Sequence, residues 1–246
     1  MQFELTREYL NDLKEAIVRN DELALIELVH ELHPADVAEI LDELELEEAT
    51  VLYKVLDANI ASDVLTHMDE DKRDRFLGSL SSKEIAEQLI DNLDSDDAAD
   101  MLNLFAQEQK EEIISMIEDR QQARDIVDLL HYKEGTAGAL MAKELIRVNV
   151  SWTVSTAVKE MRKQAEAIDH VYTVYVVDGE GVLVGRLPIK KMLLTPLKTL
   201  ISDIYDSQIK FVKVDEDQEE VVSMMEKYDI VALPVVDELG RLQGRI

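Results

Sequence analysis

The hydrophobic positions in the first half of the chain recur with a short and regular period. An apolar residue returns at steps of 12 or 13 residues, at Leu32, Leu44, Leu56, Met68, Leu80, Leu93 and Phe105. Between these positions a short polar stretch is followed by small and apolar residues at helical spacing. A unit of about ten helical residues and a tight turn cannot bury an apolar face alone, but stacked units can. The pattern predicts a helical superhelix of solenoid type and leaves its hand open.

Amphipathic helices are predicted on either side of this repeat. The first thirty residues carry apolar side chains at helical spacing and predict two helices that are broken near Asn20 and Asp21. After the repeat, residues 107–130 present isoleucines and leucines on one side and are predicted to continue as helix. The period is lost at residues 132–138, where the two glycines of the segment YKEGTAG indicate a domain boundary.

The second half of the chain repeats itself on a longer scale. Residues 176–186 and 235–245 share the pattern V-V-D-x-x-G-x-L-x-G-R. This pattern predicts a strand, a tight turn carrying Asp and Gly, and a second strand. A helix is predicted after the first copy, over residues 189–194, whereas the second copy reaches Ile246, where its equivalent helix is expected to begin. We therefore expect a second unit that is truncated and a longer parent protein.

Each copy of this pattern is preceded by two further predicted elements. A short strand is expected over residues 146–150 and 210–214, and an amphipathic helix over residues 154–163 and 219–227. Each unit of the second half is thus predicted to run strand, helix, strand, strand, helix. Together with the helical repeat, this order predicts an α+β multidomain chain in which an all-α superhelical domain precedes two smaller mixed units.

The negative charge of the chain is concentrated in the helical half. The whole chain has a formal net charge of −27, and residues 1–131 carry 35 acidic against 11 basic side chains, a net charge of −24. Nucleic acid is itself a polyanion, so the charge of this half argues against direct binding of nucleic acid. The acidic surface either serves solubility or recruits cations, and composition leaves both interpretations open.

Composition also restricts the compartment and the chemistry. The chain has no cysteine, which fits a reducing compartment and excludes disulfides and thiolate metal sites. It shows neither an uninterrupted apolar run of about 18 residues nor the basic and apolar blocks of a signal peptide. A glycine-rich phosphate loop, a nucleophile elbow and a zinc signature are absent as well. We expect a soluble intracellular chain that is not an enzyme.

An especially acidic stretch of the helical repeat is LDSDDAADMLNLF, at residues 93–105. Four of its residues are aspartates: Asp94, Asp96, Asp97 and Asp100. Asp96 and Asp100 fall on one helical face, and no lysine or arginine occurs within residues 84–109. Acidic residues at a helix start complement the helix dipole, which explains one or two of the four aspartates but not all of them. We interpret the stretch as a candidate cation site.

Motifs in both halves resemble those of known families. The tandem mixed units, with the segment LPVVDELGRLQGRI, resemble a pair of CBS (cystathionine-β-synthase) domains over residues 137–246. An acidic helical repeat with HPADVAEILDEL and LDSDDAADML, followed by GTAGALM and this pair, resembles the cytosolic portion of the MgtE family of magnesium transporters. The resemblance assigns residues 1–131 to a superhelical N domain, residues 132–200 to a first CBS domain with its linker, and residues 201–246 to a truncated second CBS domain.

This resemblance implies a function, partners and a location. It implies the Mg²⁺-sensing regulatory region of a magnesium transporter or channel, in which Mg²⁺ bridges acidic N-domain and CBS surfaces and favours a compact state with a closed pore. It also implies a homodimer formed through the CBS domains, a C-terminal transmembrane pore domain, and a place on the cytoplasmic face of the membrane. Mg²⁺ is expected as a regulatory ion at several weak sites, because it prefers oxygen ligands and keeps much of its water.

Seven carboxylates fall on positions that the resemblance links to metal. In the N domain they are Asp63, Asp96, Asp97 and Asp100. In the second CBS domain they are Asp217, Glu219 and Asp229. Asp217 and Glu219 also lie where a helix is expected to begin, so a capping role and a metal role both remain open for these two residues.

Two alternative functions remain open. CBS pairs often bind adenosine nucleotides such as ATP, which makes an adenine-nucleotide-sensing module the first alternative. The usual [ST]-x-x-[DN] signature is replaced here by LPIKK at residues 187–191, with a lysine at the position of the ribose-binding aspartate. This substitution argues against nucleotide binding, although two lysines could contact phosphates. The second alternative is an interaction scaffold, as helical solenoids often are.

Overall fold

The computed structural model describes residues 3–56, 58–168 and 171–246. The chain separates into two compact units. The first consists of Met1–Leu93 with Asp100–Ala123, and the second consists of Asp94–Ala99 with Arg124–Ile246. The predicted domain boundaries at residues 131 and 200 remain predictions.

Helices precede two groups of strands along the described parts of the chain. The helices of the first half are α1 (Arg7–Arg19), α2 (Glu22–Val29), α3 (Pro34–Glu43), α4 (Leu46–Tyr53), α5 (Ala58–His67), α6 (Glu70–Leu77), α7 (Ser82–Gln88), α8 (Ser95–Asn103), α9 (Gln107–Met116) and α10 (Arg120–Leu129). Those of the second half are α11 (Ala137–Leu140), α12 (Val154–Gln164), α13 (Ile189–Leu193) and α14 (Gln218–Tyr228). The strands are β1 (Ile146–Asn149), β2 (Val174–Val177), β3 (Leu183–Leu187), β4 (Val212–Lys213), β5 (Pro234–Val236) and β6 (Leu242–Arg245). This order confirms the predicted fold class.

Each helix of the repeat begins two residues after one of the recurring apolar positions. Helix α7, for example, begins at Ser82, after Leu80, and the same spacing precedes α3, α4, α5, α6, α8 and α9. Ser81 caps α7, because its hydroxyl accepts a hydrogen bond from the Glu84 N–H while the Glu84 carboxylate accepts one from the Ser81 N–H. The predicted repeat of a short helix and a tight turn is therefore confirmed.

The predicted helix break near residue 20 is also confirmed. Helix α1 ends at Arg19, and Asn20 follows in the left-handed conformation with a φ of 53°. The side chain of Asp21 then accepts a hydrogen bond from the Ala24 N–H at the start of α2. A left-handed residue after one helix and an acidic N-cap before the next are common signals for such a break.

One predicted helix is wrong in its extent. Residues 107–130 are predicted to form one continuous helix, but the structure divides them into α9 and α10. Ile117 has an extended backbone, with a φ of −61° and a ψ of 126°. The side chain of Asp119 accepts hydrogen bonds from the N–H groups of Gln121 and Gln122. Asp119 therefore caps a new helix, a feature that the spacing of apolar residues does not reveal.

The core of the first unit is built from the apolar faces of alternate helices. Helix α3 packs on α5, α5 packs on α7, and α7 packs on α9. Tyr53 and Phe76 are fully buried, with their ring centroids 4.8 Å apart in an edge-to-face arrangement. The Tyr53 hydroxyl donates to the carbonyl of Ala61 at 3.2 Å, so its polar end is satisfied. Alternate helices therefore stack as expected for a solenoid.

The second unit contains two three-stranded sheets with the same topology. Their strand orders are β1-β2-β3 and β4-β5-β6. In both sheets the first two strands are parallel and the last two are antiparallel. Helix α12 lies between the parallel strands of the first sheet in sequence, and α14 lies between those of the second. Each sheet therefore has the predicted strand, helix, strand, strand order.

The shared sequence pattern forms the turn between the antiparallel strands in both sheets. The side chains of Asp178 and Asp237 each accept a hydrogen bond from the backbone N–H four residues further on. Gly181 and Gly240 have φ values of 84° and 78°, a region that glycine enters without steric cost. The same residues at the same spacing thus produce the same turn twice.

Aliphatic side chains form the core around the first sheet. The buried members of this cluster are Ile146, Val148, Val154, Ala157, Val174, Val176, Leu187, Met192, Ile201 and Ile204. A smaller cluster brings Tyr175 and Val177 of β2 together with Leu242 of β6. No helix formed by the described residues combines the length and the apolar character that a membrane crossing needs.

Candidate metal centre

Three carboxylates converge where α8 begins. One carboxylate oxygen from each of Asp94, Asp96 and Glu144 lies within 4.8 Å of the other two. Asp94 directly precedes α8, Asp96 lies in its first turn, and Glu144 lies two residues before β1. All three residues belong to the second compact unit. These three side chains are termed the carboxylate cluster.

Ser95 holds Glu144 against the start of α8. The Ser95 N–H donates to Glu144 Oε1 at 3.2 Å, and the Ser95 hydroxyl donates to Glu144 Oε2 at 2.8 Å. The Ser95 hydroxyl oxygen also accepts a hydrogen bond from the Lys143 N–H at 2.9 Å. Ser95 is completely buried, and the N-terminus of a helix favours a negative charge such as that of Glu144. The position of Glu144 is therefore well defined.

An arginine contacts the same cluster. Arg245 Nη2 lies 3.4 Å from Asp94 Oδ2, and Arg245 Nε donates to the backbone carbonyl of Glu144 at 2.8 Å. The central carbon of the guanidinium lies 5.3 Å from the centre of the Tyr172 ring, within the range of a cation–π contact. One positive charge therefore stands beside three carboxylates.

Lys143, next to Glu144 in the sequence, is engaged elsewhere. Its Nζ atom lies 2.6 Å from Asp128 Oδ2 on α10, and only a tenth of the lysine side chain is exposed. The same Nζ lies 5.7 Å from the centre of the Tyr132 ring. This ion pair connects α10 to the segment before β1, and the positive charge of Lys143 is paired with Asp128.

Burial and neighbouring negative charges make ionisation costly at two members of the carboxylate cluster, Asp96 and Glu144. Desolvation, followed by the negative charges of Asp97 and Asp94, raises the pKa of Asp96 to about 6. Desolvation also raises the pKa of Glu144, although the hydrogen bonds from Ser95 act in the opposite direction. Asp96 Oδ1 is buried and lacks a hydrogen-bond partner within the described part of the chain. A nearby cation would relieve these costs.

The donor set of the carboxylate cluster fits a small, hard divalent cation. Carboxylate oxygens are the ligands preferred by Mg²⁺ and Ca²⁺, and Mg²⁺ often binds through only one or two carboxylates because it keeps several waters. The cluster provides such oxygens from three residues, one of which has an orphaned buried oxygen. The residues present therefore fit a magnesium ion.

The structure brings one of the four predicted N-domain residues into this cluster. Asp96 is a member, whereas Asp97 and Asp100 are exposed on α8. Asp97 acts on the cluster through its charge, which contributes to the raised pKa of Asp96. Asp63 is exposed on α5, and its backbone carbonyl accepts a hydrogen bond from the Thr66 hydroxyl at 2.7 Å. Metal roles for Asp63, Asp97 and Asp100 remain predictions.

The predicted residues of the second CBS domain lie at the two ends of α14. Asp217 is the N-cap, and its side chain accepts a hydrogen bond from the Glu219 N–H at 2.9 Å. Glu219 lies in the first turn, where its charge complements the helix dipole. Asp229 follows the helix in the left-handed conformation, with a φ of 52°. The capping role of Asp217 is confirmed, and metal roles for all three residues remain predictions.

Two members of the cluster are not among the predicted metal residues. Asp94 lies in the acidic stretch, but helical spacing directs attention to Asp96 and Asp100 instead. Glu144 is separated from its partner Ser95 by 49 residues, and the sequence MAKEL around it carries no pattern of its own. The charge run could have indicated Asp94, whereas only the fold identifies Glu144.

Known families match both halves of the chain. A family model described as the MgtE intracellular N domain matches residues 32–135. A second model, described as the CBS domain, matches residues 137–195 and 201–246. The matches therefore occur in the order that the motifs of the sequence predict.

Relatives of the chain are named as magnesium transporters, a class of proteins that are not enzymes. MgtE of Thermus thermophilus is 33% identical over 233 residues, which make up 94% of this chain and 52% of that protein. MgtE of Enterococcus faecalis is 38% identical over 117 residues, or 48% of this chain and 26% of that protein. The chain thus spans about half the length of the Thermus relative.

Two solved structures cover nearly the whole chain. The cytosolic domain of the Mg²⁺ channel MgtE in complex with ATP matches with a TM-score of 0.83 and 32% identity, over 96% of both chains. The soluble part of a magnesium transporter matches with a TM-score of 0.80 and 29% identity, over 97% of this chain and 93% of that chain. These matches confirm the fold class and the family resemblance.

Proposed function

The chain belongs to the MgtE family of magnesium transporters, whose cytosolic portion it matches, and on this premise we propose that it is a Mg²⁺-sensing regulatory region. The observation that carries the proposal is the carboxylate cluster with its buried, orphaned Asp96 oxygen. A sensor needs a site whose occupancy follows the concentration of the free ion. A few carboxylates that share the ion with water meet this need better than a closed cage does.

In the proposed mechanism the carboxylate cluster changes between a repelling and a neutralised state. Without a cation, the negative charge of Asp94 adds to the desolvation that raises the pKa values of Asp96 and Glu144. Mg²⁺ would be held by these three side chains and would offset their negative charges at the start of α8, which Ser95 already joins to the segment before β1. Mg²⁺ binding would shift the chain toward the conformation that binds Mg²⁺ more tightly. The size of this shift is limited by the difference in Mg²⁺ affinity between the two conformations.

The proposal extends to a full-length protein, as the family resemblance implies. There, Mg²⁺ also bridges acidic surfaces of the N domain and the CBS domains, and the compact state favours a closed pore. A homodimer formed through the CBS domains and a C-terminal pore domain belong to the same proposal. The net charge of −24 on residues 1–131 supports it, because like charges oppose compaction until cations neutralise them.

Substitution of Glu144 tests the proposal. We expect Glu144→Gln to weaken Mg²⁺ binding roughly tenfold, corresponding to about 1.4 kcal/mol, because a ligand charge is removed while the shape is kept. Isothermal titration calorimetry and the rise of the melting temperature with Mg²⁺ concentration both measure this affinity. Glu180→Gln is the matched control, since Glu180 is exposed in the turn between β2 and β3. Equal Mg²⁺ affinities of Glu144→Gln and the unmodified chain would contradict the proposal.

ATP is a second candidate ligand. A relative of known structure that is 32% identical to this chain is a complex with ATP. In this chain Lys190 and Lys191 are exposed on α13, in the stretch that replaces the CBS nucleotide signature. Calorimetry with ATP tests this candidate. Binding that is lost in the double variant Lys190→Ala, Lys191→Ala supports it, whereas the absence of binding at millimolar ATP contradicts it.

A further inference from the structure

Arg245 makes three separate interactions, one of them with the carboxylate cluster. Its Nη2 atom lies 3.4 Å from Asp94 Oδ2, and only 17% of its side chain is exposed. Its Nε atom donates to the Glu144 carbonyl at 2.8 Å, and its guanidinium lies 5.3 Å from the centre of the Tyr172 ring. Two of these interactions do not involve a carboxylate. The guanidinium is therefore held in place even when Asp94 turns toward another cation.

The backbone of Arg245 adds to this fixed position. Arg245 ends β6, and its N–H and carbonyl exchange hydrogen bonds of 2.9 Å and 2.8 Å with Ala142. Ala142 lies two residues before Glu144, so one short backbone pairing places the arginine and the glutamate side by side. The preceding residue, Gly244, allows this approach, because a Cβ atom there would lie 2.7 Å from the Ala142 carbonyl oxygen.

The first copy of the shared sequence pattern shows what is particular to Arg245. Arg186 occupies the equivalent position at the same place in the pattern and likewise pairs with a carboxylate, 3.4 Å from Asp206 Oδ2. Its side chain is 54% exposed, and Asp206 lies only 20 residues further along the chain. Arg245 instead reaches Asp94, 151 residues away. The same motif residue is thus an exposed arginine in a local ion pair in one copy, and a mostly buried arginine in a long-range ion pair at the cluster in the other.

We propose that Arg245 is the built-in counter-cation of the carboxylate cluster and sets its Mg²⁺ affinity to a low value. The inference rests on the proposed function and adds a regulating residue to the same site. A guanidinium stays protonated at all physiological pH values, so its charge is permanent. In the metal-free chain it offsets part of the repulsion among Asp94, Asp96 and Glu144. On Mg²⁺ binding it repels the ion and competes for Asp94.

Neutralising Arg245 tests this inference. We expect Arg245→Gln to tighten Mg²⁺ binding roughly tenfold, because one positive charge next to the bound ion is removed in a partly desolvated environment. The metal-free variant should melt at a lower temperature than the unmodified chain, and the difference should shrink at saturating Mg²⁺. Calorimetry gives the affinity, and thermal unfolding with EDTA or with saturating Mg²⁺ gives the stability.

Two variants serve as controls for this experiment. Arg186→Gln removes the same charge from the equivalent position of the first copy, and we expect its Mg²⁺ affinity to stay within about twofold of that of the unmodified chain. Arg245→Lys keeps the charge and should likewise bind Mg²⁺ with nearly unchanged affinity. Unchanged or weaker Mg²⁺ binding by Arg245→Gln would overturn the inference, as would equal tightening by Arg186→Gln.

The failure of this inference can be distinguished from the failure of the proposed function. If Glu144→Gln leaves Mg²⁺ binding unchanged, the site itself is wrong. If Glu144→Gln weakens binding and Arg245→Gln does not tighten it, only the role of Arg245 is wrong. Should Arg245→Gln not fold, Asp94→Asn provides the test. Because Arg245 competes with Mg²⁺ for Asp94, Asp94→Asn should reduce Mg²⁺ affinity less than Glu144→Gln does. An equal or larger reduction by Asp94→Asn would refute the role of Arg245 as a counter-cation.

Discussion

At the scale of single residues, the surroundings decide what each carboxylate can do. Asp96 and Asp97 are neighbours with the same side chain, yet Asp97 is exposed while Asp96 has a buried oxygen without a hydrogen-bond partner in the described part of the chain. Glu144 accepts two hydrogen bonds from Ser95 and still has a raised pKa. The effect of desolvation on the pKa of Glu144 is therefore larger than that of the hydrogen bonds. A bound cation would stabilise the ionised carboxylate and offset the free-energy cost of desolvation.

The raised pKa of Asp96 gives a prediction about stability and pH. An acid whose folded pKa lies near 6 instead of 3.8 binds protons more tightly in the folded than in the unfolded chain. Proton binding by Asp96 therefore stabilises the folded chain fully below about pH 4. This stabilisation is lost as the pH rises through about 6, where the folded carboxyl ionises. We expect Asp96→Asn to remove this loss and to raise the free energy of unfolding at pH 7 by roughly 1–3 kcal/mol without divalent cations.

Urea unfolding in EDTA at a series of pH values from 4 to 7.5 measures this effect. Asp97→Asn is the matched control, because it changes the neighbouring, exposed carboxylate of the same helix. The unmodified chain should lose stability from pH 4 to 6 relative to Asp96→Asn. Parallel curves for the unmodified chain and Asp96→Asn would show that Asp96 ionises normally in the folded chain.

At the scale of elements, helix ends are set by local hydrogen bonds whose capping residues can be recognised in the sequence. The Ser81 and Glu84 pair forms a capping box at α7, and Lys54 Nζ lies 2.7 Å from the Glu84 carboxylate. These interactions lower the pKa of Glu84 to about 2, with the bonds from Lys54 and Ser81 as the main causes. The start of α7 is therefore joined to the end of α4 by one side chain.

Removal of this cap should destabilise the helical unit. We expect Ser81→Ala to lower the free energy of unfolding by about 1 kcal/mol, because the Glu84 N–H loses its acceptor and the helix start frays. Thermal or urea unfolding followed by circular dichroism measures the change. Ser115→Ala is the control, since the Ser115 hydroxyl donates to the Glu112 carbonyl within α9 and alanine is a better helix former there. A Ser81→Ala variant as stable as Ser115→Ala would contradict the capping role.

At the scale of the whole molecule, the negative charge is concentrated in the first half of the sequence. Residues 1–131 hold −24 of the total net charge of −27, while the mixed half is nearly neutral. The repeated β-unit places an arginine in its last strand in both copies: Arg186 is the penultimate residue of β3, and Arg245 is the last residue of β6. In the second copy this residue supplies a positive charge to an acidic helix start, and we have proposed that it thereby tunes a cation site.

The sequence by itself determined the elements and the family of this protein. The spacing of apolar residues located the helix starts of the repeat, and the V-V-D-x-x-G-x-L-x-G-R pattern located both hairpins, because caps, turns and amphipathic faces depend on residues a few positions apart. The break at Asp119 was missed, because its capping bonds do not alter the apolar period. The order of the motifs indicated the MgtE family.

Only the tertiary structure decided the composition of the candidate metal centre. Glu144 reaches Ser95 across 49 residues, and Arg245 reaches Asp94 across 151 residues. Both contacts depend on which strand edges and buried segments meet, and no local pattern encodes a partner at such a distance. The pKa of Asp96 likewise follows from burial that packing creates. The sequence thus supplied the carboxylates, and the fold selected which of them stand together beside a permanent positive charge.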